Sequence, residues 1–121
     1  MKPLKKTLSG VALTTLLASP AAFAETLSVA EVHEQRQALS GEQVSVSGEV
    51  VKVNNGIMRR NFVHVEDGTG SGDNGRLILT SQDTAQVGDQ VTATGTVKLD
   101  TDFGMGYFYP TLVEEASITA Q

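Results

Sequence analysis

Between residues 43 and 118 apolar side chains return at every second position, in runs broken by Asn, Asp and Gly. This limits the chain to β-strands joined by turns. Val44, Val46, Val50, Val51 and Val53 make the first run. Gly48 and the adjacent Val50 and Val51 break its alternation, which predicts a long first strand with a bulge or bend. Asn54-Asn55-Gly56 reads as a tight turn, because Asn and Gly tolerate positive φ. A second strand is expected over about 57–66, with Val63 and Val65 on one face and Phe62, His64 and Glu66 on the other. A polar, glycine-rich connection leads to a third strand at 76–80. Val87-Gly88-Asp89 turns the chain into a fourth strand at 91–99, and a fifth follows at 107–118, where Pro110 marks an edge or bulge. Five such strands predict an all-β domain, closed or nearly closed into a small barrel.

Two segments come before the strands. Ser28 is suited to cap a helix over 29–39, with Glu31 in its first turn and Val29, Val32, Arg36 and Leu39 at helical spacing. His33 falls beside that line, and Ser40-Gly41 ends the helix. Further upstream, Lys2, Lys5 and Lys6 precede an apolar run from Leu8 to Leu17, and Ala22-Phe23-Ala24 supplies small residues at a cleavage position. This is the pattern of a secretory signal peptide over 1–24, cleaved after Ala24. The domain proper is then 25–121, with its barrel at about 43–119 and no membrane anchor after cleavage. The periplasm is the expected location, with secretion as the alternative.

Cleavage would leave six basic residues against fourteen acidic ones, a balance of −8. Affinity for phosphate backbones comes from positive charge, so general nucleic-acid binding is disfavoured unless the few cations gather in one patch. There is no cysteine, hence no disulfide framework, no thiolate chemistry and no lipid attachment site.

The runs GEVVKVNNGIMRRNFVHVEDGTG, LILT, VGDQVTATGTV and DFGMGYFYPTLVEEA, spanning about Gly48 to Ala116, resemble a family of small exported bacterial OB-fold proteins. Some members of that family carry nucleic-acid-binding labels and others a nominal link to nitrite reductase. More distantly, the chain is similar to OB-folds of the tRNA-anticodon and single-strand-binding type, where a strand ending in DGTG precedes the third strand. The resemblance implies a five-stranded OB-fold barrel with a short N-terminal helix. It carries over no catalytic residues, and because OB barrels host many ligands, function rests on the site.

The stretch GIMRRNFVHVEDGTG concentrates the chemistry. If Val63 and Val65 face the core, Phe62 and His64 project outward beside Arg59 and Arg60, onto the surface where OB-folds stack bases on aromatic rings. Arg76 and Lys52 add cations there. The plainer alternative is a soluble hairpin arm with Phe62 packed on the N-terminal helix. In FGMGYFY, alternation assigns Phe108 to the core and leaves Tyr107 and Tyr109 to border a groove, while Gly104 and Gly106 read as turn chemistry.

Candidate binding residues are therefore Arg59, Arg60, Phe62, His64, Arg76, Tyr107 and Tyr109. The expected function is non-catalytic recognition of an envelope protein or small anionic ligand, with single-stranded nucleic acid as the alternative. Haem or copper handling is a lesser one, since His33, His64, Met58 and Met105 are suitable ligand types without site-like spacing. No cofactor is expected. No nucleophile or zinc-protease motif is present, and the adjacent pairs Glu66-Asp67 and Glu114-Glu115 point to opposite faces of a strand.

Overall fold

The computed structural model describes residues 24–121. The signal-peptide expectation lies outside the described residues. Six strands form one sheet: β1 (Glu25–Thr26), β2 (Gln43–Ile57), β3 (Arg60–Glu66), β4 (Leu77–Ser81), β5 (Gln90–Asp102) and β6 (Phe108–Ala120). Two short helices, α1 (Val29–Glu34) and α2 (Arg36–Leu39), precede β2, and a 3-10 turn at Gly72–Gly75 precedes β4. The sheet order is β1-β2-β3-β4-β6-β5, with β2 pairing back onto β5.

The length of β2 makes this closure possible. Gln43 to Glu49 pair antiparallel with β5, while Glu49 to Ile57 pair with β3, so one bent strand joins both sides of the ring. The bend comes from register shifts between Val50 and Lys52, where the adjacent Val50 and Val51 break the alternation as expected, and between Asn54 and Ile57. Gly48 serves another purpose, since a Cβ there would lie 2.7 Å from the Glu66 carbonyl oxygen. β1 was not foreseen; it pairs in parallel with Val44 and Ser45.

The β2–β3 turn also differs from the sequence reading. It falls on Met58 and Arg59, both at positive φ (50° and 65°), and Asn54 to Ile57 remain in the strand. Positive φ at both central residues gives the twist that a two-residue hairpin needs. The expected turn residues instead form the irregular end of β2, where Gly56 takes φ 74° and its N–H donates to Asn61 Oδ1.

Alternating side chains fill the ring. Val44, Val46, Val50, Val63, Val65, Leu77, Leu79, Val91, Ala93, Val97 and Val113 are buried together, and Val29, Val32 and Leu39 of the helices close one end. The single helix expected over 29–39 is broken at Gln35, which has φ −103°. Ser28 and Glu31 form a full capping box. The Asp67 carboxylate accepts the Val29 N–H at 3.0 Å and the Thr69 hydroxyl accepts the Ala30 N–H at 3.0 Å, so the glycine-rich loop holds the helix onto the ring.

Candidate functional site

The outer surface of β2, β3 and β4 presents side chains in cross-strand rows. Phe62 lies opposite Asn54 and Thr80; the next row holds Lys52, His64 and Ile78. Arg76 leads into β4, and its Nε and Nη2 meet Glu66 Oε2 at 3.0 and 2.9 Å.

Phe62 points away from the ring interior, as its parity predicts, yet it is only 1% exposed. The expectation of an exposed stacking ring is therefore corrected, and so is its alternative of packing on the N-terminal helix. What covers Phe62 is the far end of the β5–β6 hairpin: its ring centroid lies 5.6 Å from Phe103, 6.1 Å from Tyr107 and 5.6 Å from Tyr109. Phe103 and Tyr109 also meet each other at 6.1 Å, and the Arg60 guanidinium sits over Phe103 at 4.7 Å. Offset and edge-on contacts at these separations suit the ring quadrupoles, and a cation over a ring face is attracted to it.

Local chemistry bends the hairpin into this position. Thr101 pairs with Tyr109 and Asp102 with Phe108, so alternation puts Phe103, Tyr107 and Tyr109 on one side. Phe108 goes to the other side and is 51% exposed, which corrects its assignment to the core. At the tip, Asp102 Oδ1 accepts the Gly104 N–H at 2.7 Å, and the Phe103 N–H donates to the Tyr107 carbonyl at 2.8 Å. Gly104, Met105 and Gly106 all take positive φ, which glycine tolerates and methionine does not readily adopt. Met105 is held out into solvent, 93% exposed. Arg36 secures the base of the hairpin: its Nε donates to Thr111 Oγ1 at 2.9 Å and its Nη2 to the Pro110 carbonyl at 2.8 Å.

Beside this cap lies a groove of about 620 Å³, lined by His33, Arg36, Arg76, Ile78, Tyr109 and Thr111 among others. His33 Nε2 lies 2.7 Å from the Arg76 carbonyl oxygen, which commits it to joining α1 to the ring. A second, polar hollow of about 460 Å³ lies where β4 and β6 part, bounded by Arg60, Asp83, Glu114 and Glu115.

His64 stands apart electrostatically. It makes no side-chain hydrogen bond, and its Nδ1 is buried without a partner. Its pKa is lowered from 6.5 to about 4, chiefly by burial and then by the nearby charges of Arg76 and Lys52. It is neutral at pH 7. With Nδ1 buried, its one proton is best placed on Nε2, where solvent or a ligand can accept it. Burial also raises the Tyr109 phenol, with a smaller contribution from Tyr107.

Of the seven candidate residues, Arg60, Phe62, Tyr107 and Tyr109 come together in the aromatic cap, and His64 and Arg76 occupy the adjoining rows. Arg59 lies in the turn, where its carbonyl accepts from Gln82 Nε2. Sequence reasoning gave no site role to Phe103 or Arg36. The clustering of four of the chain's six aromatics after residue 100 was the available signal for the first; nothing local marks the second, whose partners lie more than 60 residues away. His33 and His64 sit on different elements, α1 and β3, and among the described residues no three His, Cys, Asp or Glu side chains are grouped to hold a metal.

No protein-family profile matches the chain, and no curated protein sequence does either. Solved structures do. The OBody AM3L09, bound to hen egg-white lysozyme, is similar at 19% identity with a TM-score of 0.59, over 84% of this chain and 96% of the other. A putative aspartyl-tRNA synthetase from Leishmania major Friedlin is similar at 12% identity with a TM-score of 0.57; the match takes in 90% of this chain but 23% of the synthetase. The OBody AM1L10, also bound to hen egg-white lysozyme, matches at 18% identity with a TM-score of 0.54. At these identities the likeness concerns the fold alone.

Proposed function

We propose that this chain is a non-catalytic OB-fold module of the bacterial envelope that recognises a protein partner through the aromatic cap and the outer face of β2, β3 and β4. The strand order supports the fold, since a five-membered ring closed by one long, bent strand that pairs on both sides fits the small Greek-key barrel of an OB-fold. The location rests on the basic, apolar and small-residue pattern at the N-terminus.

The observation that carries the function is the cap itself. Four aromatic rings and Arg60 form one contiguous patch on a rigid ring, and the same hairpin holds Met105 out in water. Aromatic residues, Met and Arg are the types enriched at protein interfaces, and a patch that is already packed loses little freedom on binding. The burial of Phe62 counts against single-stranded nucleic acid, because the ring best placed for base stacking is already covered on its outer side. The two OBodies are proteins of similar fold bound to another protein, which makes this use of the fold physically reasonable.

The test is recovery of a partner from envelope extract by the mature protein, compared with Tyr107→Ala and Arg60→Ala variants of unchanged melting temperature. One specific chain recovered by the parent and lost from both variants is expected. Equal recovery by all three would exclude the cap, and tight, salt-sensitive binding of a single-stranded oligonucleotide instead would replace the protein partner with nucleic acid.

A further inference from the structure

The charges outside the signal segment are unevenly placed. Six Lys and Arg face fourteen Asp and Glu in the sequence from Glu25 onward, yet Lys52, Arg59, Arg60 and Arg76 all belong to the β2–β3 hairpin or the segment entering β4. Two of the four are engaged. Arg60 lies on Phe103, and Arg76 gives its Nε and Nη2 edge to Glu66, which leaves Nη1 unused. Lys52 makes no ion pair among the described residues, and it stands directly across from His64 in the register.

His64 is unusual for a polar side chain in such a place. Its Nδ1 is buried without a partner, a costly arrangement that a solvated surface residue would avoid by rotating outward. In the strand register His64 stands between Lys52 of β2 and Ile78 of β4, and with Nδ1 buried its proton is best placed on Nε2. The charged groups facing it are Lys52 from β2, Glu66 from β3 and Arg76 from the segment before β4. Of these, only Glu66 is negative, and Arg76 already neutralises it. The surplus is one positive charge beside a neutral N–H donor.

We infer that the row formed by Lys52, His64 and Arg76 is an oxyanion-binding site, and that its occupant is a carboxylate in an acidic segment of the partner protein. This rests on the reading of the chain as a protein-binding module. An oxyanion over this row accepts from His64 Nε2–H, pairs with Lys52 Nζ and reaches the free Nη1 of Arg76, using donors that nothing else in the described structure occupies. Ile78, at the end of the row, lines the neighbouring groove, which gives the rest of an extended segment a path towards Tyr109. The overall negative charge of the protein then aids selection, because outside this face acidic residues far outnumber Arg36 and Lys98.

A bound anion favours the imidazolium, so occupancy and His64 protonation are coupled. The experiment follows the imidazole carbons of His64 and His33 by NMR through pH 7.5 to 3.5, in the mature protein alone, with a hexaglutamate peptide, and with sulfate, whose charge is constant over this range. The expected result is an upward move of the His64 midpoint with the peptide and loss of the effect in Lys52→Gln. If the midpoint rises from about 4 to near 6, the peptide binds about tenfold more tightly at pH 5 than at pH 7. A midpoint moved by sulfate alone would overturn the acidic-segment assignment in favour of a phosphate-like ligand, and one moved by neither would overturn the site. Retention of the partner by Lys52→Gln and His64→Gln variants would sink this inference while leaving the aromatic cap as the recognition surface; loss of the partner only in the cap variants would say the same.

Discussion

Two glycine-rich loops of this molecule begin with the same chemistry and end in different roles. The loop 67–75 opens with Asp67, whose carboxylate accepts the N–H of Thr69 two residues on; the hairpin tip opens with Asp102, whose carboxylate accepts the N–H of Gly104. Both then use glycines at positive φ. The first loop turns its remaining hydrogen-bonding capacity inward, to Val29 and Ala30 of α1, and becomes scaffold. The second is held to the ring by Phe62, Phe103, Tyr107 and Tyr109 and by Arg60, contacts that fix it while leaving apolar surface exposed. A local turn motif therefore does not decide a loop's role; the atoms left over after the turn is made do.

The contrast breaks most sharply at Phe62. Phe62→Ala removes the floor of the aromatic cap and is expected to cost about 3–5 kcal/mol, the range for truncating a buried Phe. Urea melts give the total, and amide exchange locates it: protection should fall across 98–110 and persist across 67–75. Uniform loss in both would mean that the hairpin and the loop are one cooperative unit and that the distinction between them is only geometric.

Asp67→Ala is the complementary cut, with an expected cost of about 1–2 kcal/mol from the lost helix and turn hydrogen bonds. Burial alone would raise the pKa of Asp67, but bonds from the Thr69 hydroxyl, the Val29 N–H and the Thr69 N–H outweigh it and hold the group below its ordinary 3.8. The carboxylate's contribution is thus complete above the ordinary value and is lost as pH falls through the lower, folded-state value. The variant should lack the acid-induced weakening of α1 that the parent shows below about pH 4. Far-UV circular dichroism against pH checks this, and identical acid profiles would remove the latch role from Asp67.

How these regions appear in the sequence differs for a physical reason. The valines and leucines at period two report their own burial, so the strands, the core and the outward direction of Phe62 were legible from spacing alone. The covering of Phe62 was not, because the rings that cover it arrive about 40 residues later and only strand closure brings them near. The same holds for Asp67, which meets a helix 38 residues upstream. The β2–β3 turn was misplaced because Met58 and Arg59 carry no turn signature: the register of paired strands forces their positive φ against preference. Asn54-Asn55-Gly56, with the better turn residues, was left to absorb the bulge.

A smaller effect separates the cation row from the latch. The pKa of His64 is depressed, so stability is full above the unfolded value of 6.5 and declines as pH falls towards about 4, where the unfolded chain gains a proton that the folded chain refuses. After discounting for solvent screening the loss is about 1 kcal/mol. It should appear as a lower melting temperature at pH 5 than at pH 7.5 in the parent, and not in His64→Gln. An equal decline in the variant would assign the acid sensitivity to other groups and weaken the picture of His64 as a sealed, neutral donor.

The smallest expected change in stability falls at the hairpin tip, and it sharpens the comparison most. Met105 is almost fully exposed and takes φ 57°, a conformation that disfavours a side chain. Replacing it with glycine relieves that strain but frees the unfolded backbone, so the two effects oppose and the net should stay within about 0.5 kcal/mol. A scaffold loop would register nothing more than this. If the tip is a recognition element, Met105→Gly should keep the parent's melting temperature and lose partner recovery, because a strained residue carrying an exposed apolar side chain contributes nothing to the fold that glycine would not. Retention of both would make the tip a second loop of the 67–75 kind and confine recognition to Arg60, Tyr107 and Tyr109 below it.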